Sequence, residues 1–233
     1  MSDAKQQLEH ARSAGWSGRL WAEITPIYDA ILEHPFITGL VTGDLEVETF
    51  RHYIVQDELY IREYARAIAI LAAKAPTWKA TQLFTEHATS AAQYESDLHE
   101  SVVAELGGRA TMLTDARPTP TSLAYISFIR GHAFGSSFVD GLASILPCFW
   151  IYAEVGQYLG AKGSQNSAYQ KWIDSYDDPQ YVNAVVAALE VTNELGAELG
   201  ATDESRARDI FATASKYEWL FWDAAFRRET WAL

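Results

Sequence analysis

Apolar positions recur along this chain at spacings of three and four over long stretches, and clusters of Gly, Pro, Asn and Asp interrupt them at intervals. Alternation with a period of two is scarce, so the pattern predicts a nearly all-α chain. Helices are expected over residues 17–33, 36–42, 46–74, 77–106, 121–135, 137–162, 167–175, 180–199 and 204–228. Some ends carry chemical markers. Asp178 before Pro179 offers an N-cap with proline at the first helical position, and Thr202-Asp203-Glu204 places acceptors at another start. Gly107-Gly108 and Gly160 are expected stops. The irregular stretch from Gly107 to Pro120 holds two prolines and could pass for a linker. The helices on both sides carry apolar faces wider than a half-length domain could cover, so residues 1–233 are expected to form one helical domain.

Composition narrows the partners. Hydrophobic residues make up 48% of the chain and aromatics 13%, with eight Trp, twelve Tyr and ten Phe, a globular profile rich in large rings. A formal net charge of −13 argues against nucleic-acid backbones or anionic lipid as main partners, because both require a basic face. A cationic small molecule is not repelled. The single cysteine cannot form an intramolecular disulfide, and the N-terminal MSDAKQQLEHARSAGW lacks the apolar core of a signal peptide. The best apolar run, around Ile145 to Ala153, falls short of the ~18 to 20 residues of a spanning helix and contains Pro147. A cytoplasmic protein is the expectation.

Three constellations could carry chemistry. Tyr53, Asp57, Tyr60 and Tyr64 fall at i, i+4, i+7 and i+11, one helical face on which a carboxylate stands in a column of phenols. That suggests a partly buried acid; a purely structural Asp held by a Tyr hydroxyl would look the same. In the second, Ser137, Gly141, Ser144 and Cys148 share a face of small residues, with room for a ligand or a close-packed helix. Pro147 predicts a kink beside the cysteine, and Tyr152 closes the next turn. A lone cysteine on an apolar helix is ordinarily an inert core residue; nucleophilic use needs a lowered thiol pKa or an adjacent base. In the third, Glu218 shares its face with Phe211, Ala214, Phe221, Trp222 and Ala225. Burial there would raise its pKa towards neutrality and suit it to proton transfer, unless an Arg or Lys pairs with it.

Together these supply a nucleophile, two acids and aromatic walls, which suit a flat, nitrogen-containing ring. No phosphate-binding GxxxxGK[ST], dinucleotide GxGxxG or esterase GxSxG is present. The residues three before each histidine are Gln7, Ile31, Thr49, Phe84, Ser96 and Ile129, none an acid, so a di-iron bundle has no support.

In order and spacing the chain resembles the TenA, or thiaminase II, family of aminopyrimidine aminohydrolases. The resemblance rests on His34-Pro35-Phe36 with Phe50 to Tyr60, Ala124-Tyr125, Leu146-Pro147-Cys148-Phe149-Trp150-Ile151-Tyr152, Trp172-Ile173-Asp174-Ser175-Tyr176, and Tyr217-Glu218 through Trp222 to Trp231. It implies a haem-oxygenase-like up-and-down helical bundle, a homotetramer, and no metal or organic cofactor; likeness to haem oxygenases in fold is not haem binding. It further implies Cys148 as nucleophile, Glu218 as the proton-transferring acid and Asp57 as the acid that binds the ring's amino edge and orients the thiol. Tyr60, Tyr125, Tyr152 and Tyr176 match tyrosines that stack on or hydrogen-bond the pyrimidine. Phe149 stands where Tyr is common, and Glu58-Leu59 where aromatics are frequent; these departures bear on substrate preference. The substrate implied is an aminomethylpyrimidine or thiamine. Two other readings stay open: a pyrimidine-binding or regulatory protein without turnover, and a haem-oxygenase-like or quinone-forming oxidoreductase. The second would need a haem-ligating His or a basic pocket for an acidic substrate.

Overall fold

The computed structural model describes residues 3–105 and 116–232, with side chains over 5–93 and 116–232. Among the described residues there are ten helices and no strand: α1 Asp3–Ala11, α2 Gly15–Leu32, α3 Pro35–Thr42, α4 Val47–Lys74, α5 Trp78–Glu105, α6 Pro120–Gly135, α7 Phe138–Gly160, α8 Ser167–Tyr176, α9 Pro179–Gly196 and α10 Ala201–Phe226. Nine of these match the helices expected from periodicity. The tenth, α1, was not expected, because it is polar on most of its surface and buries Leu8 alone within its middle turns. Only its seat against α9 makes it a packed element.

The central layer is α4, which packs against α5, α6, α7 and α10. Its buried positions Phe50, Tyr53, Ile54, Asp57, Tyr60, Ile61, Tyr64, Ala67, Ile68 and Leu71 follow the three-and-four spacing, giving one wide inward face. Pro76 holds the preceding Ala75 in an extended conformation (ψ 135°) and so ends the helix. The Lys74 ammonium then donates to the carbonyls of Ala133, at 2.9 Å, and Ser136, tying the end of α4 to that of α6.

α7 is the most buried helix. By length and composition it could cross a membrane, but 94% of its apolar window lies inside the bundle, packed on α10, α6, α8, α9 and α4. Ser137 caps it through the Asp140 amide, and it runs through Pro147 as one element. The small face is used in two ways along its length. At Gly141 an added Cβ would lie 2.3 Å from the Leu71 side chain, so α4 and α7 are in close approach there. One and two turns on, Ser144 turns its hydroxyl back to the Gly141 carbonyl (2.7 Å) and Cys148 faces open space.

Asp178 caps α9 as expected, accepting from the amides of Gln180 and Tyr181. α10 starts earlier than its acceptor cluster suggested: Gly200 occupies the cap without a side-chain bond, and Asp203 and Glu204 fall in the first turn, where their charge is favourable at the positive end of the helix dipole. Gly160 is the last residue of α7, but the reversal uses Gly163, whose φ of +70° favours glycine and whose amide returns to Leu159 O at 2.7 Å. Gly107-Gly108 lies outside the described residues. The described end of that stretch is pinned to the bundle: Thr119 N donates to Gln56 at 2.9 Å, and Trp231 Nε1 to Pro118 O at 3.0 Å. Buried apolar residues from Leu8 to Ala225 form one cluster.

Candidate active site

A cavity of about 520 Å³ opens between α4, α5, α7, α8 and the start of α9. α4 contributes Asp57, Ile61 and Tyr64, one and two turns apart on the face that periodicity predicted. α7 contributes Cys148, Phe149 and Tyr152, and α8 ends in Ser175 and Tyr176. A close approach sets the position of α8, since an added Cβ at Gly156 would lie 2.7 Å from the Tyr176 carbonyl group. α5 lends His87, Ser90 and Ala91, and the turn into α9 lends Asp178, Gln180, Tyr181 and Ala184.

Of the seven residues singled out from sequence, Asp57, Cys148, Tyr152 and Tyr176 line this cavity. Tyr60, Tyr125 and Glu218 form the buried layer against them. The Tyr60 and Tyr125 rings lie 4.9 Å apart, and the Tyr125 hydroxyl donates a very short hydrogen bond to Glu218. Tyr53 donates to the Tyr152 hydroxyl at 3.2 Å, and Tyr152 stacks on Trp222 (4.9 Å, 27°) and packs on Tyr176 (4.9 Å). Five helices, α4, α6, α7, α8 and α10, thus deliver one cluster.

Electrostatics show how tightly it is coupled. Burial raises the Cys148 thiol well above its ordinary range, the Glu218 and Asp57 carboxylates raise it further, and the hydroxyls of Tyr60 and Tyr64 pull the other way. The resting sulfur is therefore a thiol. Burial pushes Glu218 up to about 8; the Tyr125 hydrogen bond lowers it and Asp57 raises it. No Arg or Lys pairs with Glu218 among the described residues, so at neutral pH it is mostly a neutral carboxyl, able to give up a proton. Asp57 acts on Glu218 and both act on the thiol, so Asp57, Cys148 and Glu218 share one site. The Tyr60 hydroxyl is buried without a well-formed hydrogen bond, and its strongest electrostatic neighbour is Cys148.

The sequence reading missed the α5 and α9 walls. His87, 4% exposed, stacks on Phe149 with centroids 4.5 Å apart at 22°. Tyr181 flanks the same phenylalanine, at 6.0 Å and 5°, and donates to the Phe149 carbonyl at 3.0 Å. A signal for His87 existed: it shares a face with Ala80, Phe84 and Ala91, so a histidine stood on an apolar stripe. Among the described residues no group of three or more His, Cys, Asp or Glu side chains could hold a metal ion. A second, more open depression of about 490 Å³, bordered by Arg51, His52, Gln56, Arg117 and Arg228, holds no thiol and only Glu48 as an acid.

The profile of the TENA/THI-4/PQQC family matches residues 21–228, and the chain belongs to that family. It is 31% identical to an aminopyrimidine aminohydrolase of Halalkalibacterium halodurans, over 93% of this chain and 97% of the relative. Among solved structures it is similar to a TenA homologue from P. horikoshii, with a TM-score of 0.82 and 29% identity over 92% of this chain and 99% of the other. A domain of unknown function with a heme oxygenase-like fold from Shewanella denitrificans shares the architecture, with a TM-score of 0.65 and 18% identity over 91% of this chain and 92% of that one.

Proposed function

We propose that this protein is a hydrolase that removes the substituent from an aminopyrimidine's exocyclic methylene, as in the thiamine-salvage reaction, with Cys148 as nucleophile. The observation that carries the reading is the meeting of one cavity-facing thiol with two buried acids, in a wall of aromatic rings, in a chain of this family.

The pyrimidine stacks against Tyr152 and Tyr176, with its amino edge on Asp57. The Cys148 sulfur forms a bond to a ring carbon as its proton leaves to a carboxylate, which a burial-raised thiol requires. Glu218, directly or through the Tyr125 hydroxyl, protonates a ring nitrogen, so the ring becomes an enamine-like adduct rather than a carbanion. The adduct expels its substituent with the bonding pair, as an amine or a thiazole, leaving an exocyclic methylene. Water adds there, the sulfur departs with its electrons, and aromaticity returns. The net change for an aminomethylpyrimidine is water consumed, ammonia released and a hydroxymethyl group formed.

The test is Cys148→Ser assayed with aminomethylpyrimidine and thiamine. Turnover is expected to fall by about 10³-fold or more with the helical circular dichroism retained. Hydrolysis at near the wild-type rate would remove the cysteine from the mechanism. Stoichiometric binding of hydroxymethylpyrimidine by wild type, with no product from either substrate, would instead favour a binding protein.

A further inference from the structure

The layer behind Cys148 holds a hydroxyl that no resting interaction explains. Tyr60 is 3% exposed, lies outside the cavity lining, and its oxygen is buried with no hydrogen-bond partner in the protein. Buried polar atoms are normally satisfied, and a phenylalanine would fill the same space with no unpaired atom. The pyrimidine is not the missing partner, because the oxygen has no surface on the cavity. The neighbouring Tyr125 hydroxyl is committed to Glu218, and the strongest electrostatic neighbour of Tyr60 is Cys148. One turn along α4, Tyr64 stacks on Tyr60, with centroids 5.6 Å apart at 23°, and its hydroxyl donates to the Ile145 carbonyl at 3.0 Å. Ile145 lies three residues before Cys148, and Tyr64 and Cys148 both line the cavity. That carbonyl is also the i−4 acceptor for Phe149 within α7, so the helix does not need the phenol.

The sulfur of this site has a charge to place. Burial, Glu218 and Asp57 all oppose a negative sulfur, and among the described residues no Lys or Arg lines the cavity. Yet the sulfur holds the electron pair twice: when its proton leaves to a carboxylate, and when the carbon–sulfur bond breaks. Resting on the reading of Cys148 as nucleophile, we propose that the Tyr60 and Tyr64 hydroxyls form a two-donor cradle for the charged sulfur. Tyr60 is held unpaired for it, and Tyr64 turns from the Ile145 carbonyl as the charge develops, in the manner of donors arranged for a transition state. Burial raises the pKa of both phenols well above the ordinary value, and Cys148 raises it further, so they give hydrogen bonds and keep their protons. Tyr60 then serves the nucleophile rather than the pyrimidine face.

The experiment measures alkylation of Cys148, the single cysteine of the chain, by iodoacetamide at about pH 8 in wild type, Tyr60→Phe, Tyr64→Phe and Tyr169→Phe. Tyr169→Phe is the control, since it removes a phenol–carbonyl bond, to Leu45 at 2.7 Å, away from the cavity. Tyr60→Phe and Tyr64→Phe are each expected to slow alkylation about three- to tenfold, because less of the sulfur is thiolate. Turnover of 4-amino-5-aminomethyl-2-methylpyrimidine should fall about tenfold in kcat, with KM within about threefold. Tyr169→Phe should alkylate at the wild-type rate. Tyr60→Phe carries a further signature: it should melt no lower than wild type, because the oxygen it loses has no resting partner. A wild-type alkylation rate in either cradle variant, equal slowing in Tyr169→Phe, or a loss confined to KM would overturn the cradle. Alkylation needs no turnover, so the two readings fail separately. Hydrolysis surviving in Cys148→Ser would remove the nucleophile, while selective slowing of alkylation would still uphold the contact between phenols and thiolate. Should Tyr64→Phe not fold, Tyr60→Phe gives the same comparison.

Discussion

Two buried glutamates in this bundle resolve the same physical problem in opposite ways. Glu154 lies on α7 with the Arg12 guanidinium 3.4 Å away and the Trp150 indole N–H donating at 3.1 Å. Burial raises its pKa to about 7, against the pull of the arginine and the indole. Glu218 lies on α10 with a phenol for a partner and an acid, Asp57, as the next charged group, and rises to about 8. One acid is anchored by a cation and fastens the chain that follows α1 to the core. The other has no cationic partner among the described residues and stands beside a thiol. The lesson is that burial alone does not mark a functional acid; the absence of a compensating cation and the presence of a second acid do.

The comparison can be broken most directly by amidating each acid. Glu218→Gln is expected to lower kcat by about 10²–10⁴-fold, the range for loss of a general acid, while Glu154→Gln leaves turnover within about twofold. Steady-state kinetics on both variants decides it, and comparable losses would mean that the two acids do not differ in kind.

A second expectation concerns pH. Glu218 acts as a proton donor, so kcat/KM should fall as pH rises through about 8, where its carboxyl ionises, and the Glu154→Gln variant should keep that limb unchanged. A pH–rate profile lacking an alkaline limb, or one that moves with Glu154, would contradict the assignment.

The third expectation is one of stability. Arg12→Ala strips Glu154 of its cation, at a cost of about 1–3 kcal/mol near neutrality, read as a lowered urea midpoint. The sign follows from the protons bound. Without Arg12 the folded-state pKa of Glu154 lies further above its unfolded value, so the folded form binds the extra proton. The loss is then smallest near pH 5 and grows as pH rises through and beyond about 7. A pH-independent loss would show that Arg12 acts through its guanidinium over the Trp21 ring, 5.9 Å from the centroid, rather than through Glu154.

An effect of similar size is expected at the close approach behind the site. Gly156→Ala forces a methyl group against the Tyr176 backbone, and should cost about 1–3 kcal/mol and raise KM by displacing Tyr176.

Much of this was legible along the chain. The 3.6-residue period placed Tyr53, Asp57, Tyr60 and Tyr64 on one face and put Glu218 among Phe211, Phe221 and Trp222, and all of these are buried. α1 was not legible, because Leu8 and Ala11 make too narrow a stripe to register without the α9 surface that covers them. Nor was the place of His87: its apolar stripe is that of any core histidine, and only the tertiary structure sets it against Phe149 at the cavity wall.

The sequence by itself determined which side of the strongly periodic helices is buried, because that depends on residues one turn apart. It also determined that Cys148 sits on a face of small side chains. Only the tertiary structure decided what each buried group meets. Tyr125 reaches Glu218 across 93 residues of chain, and Tyr53 reaches Tyr152 across 99. Arg12 falls to Glu154 and not to Glu218. Local periodicity carries no information about such pairs: the partner of a buried acid, and with it the acid's pKa, is set by which helices pack together and at what register.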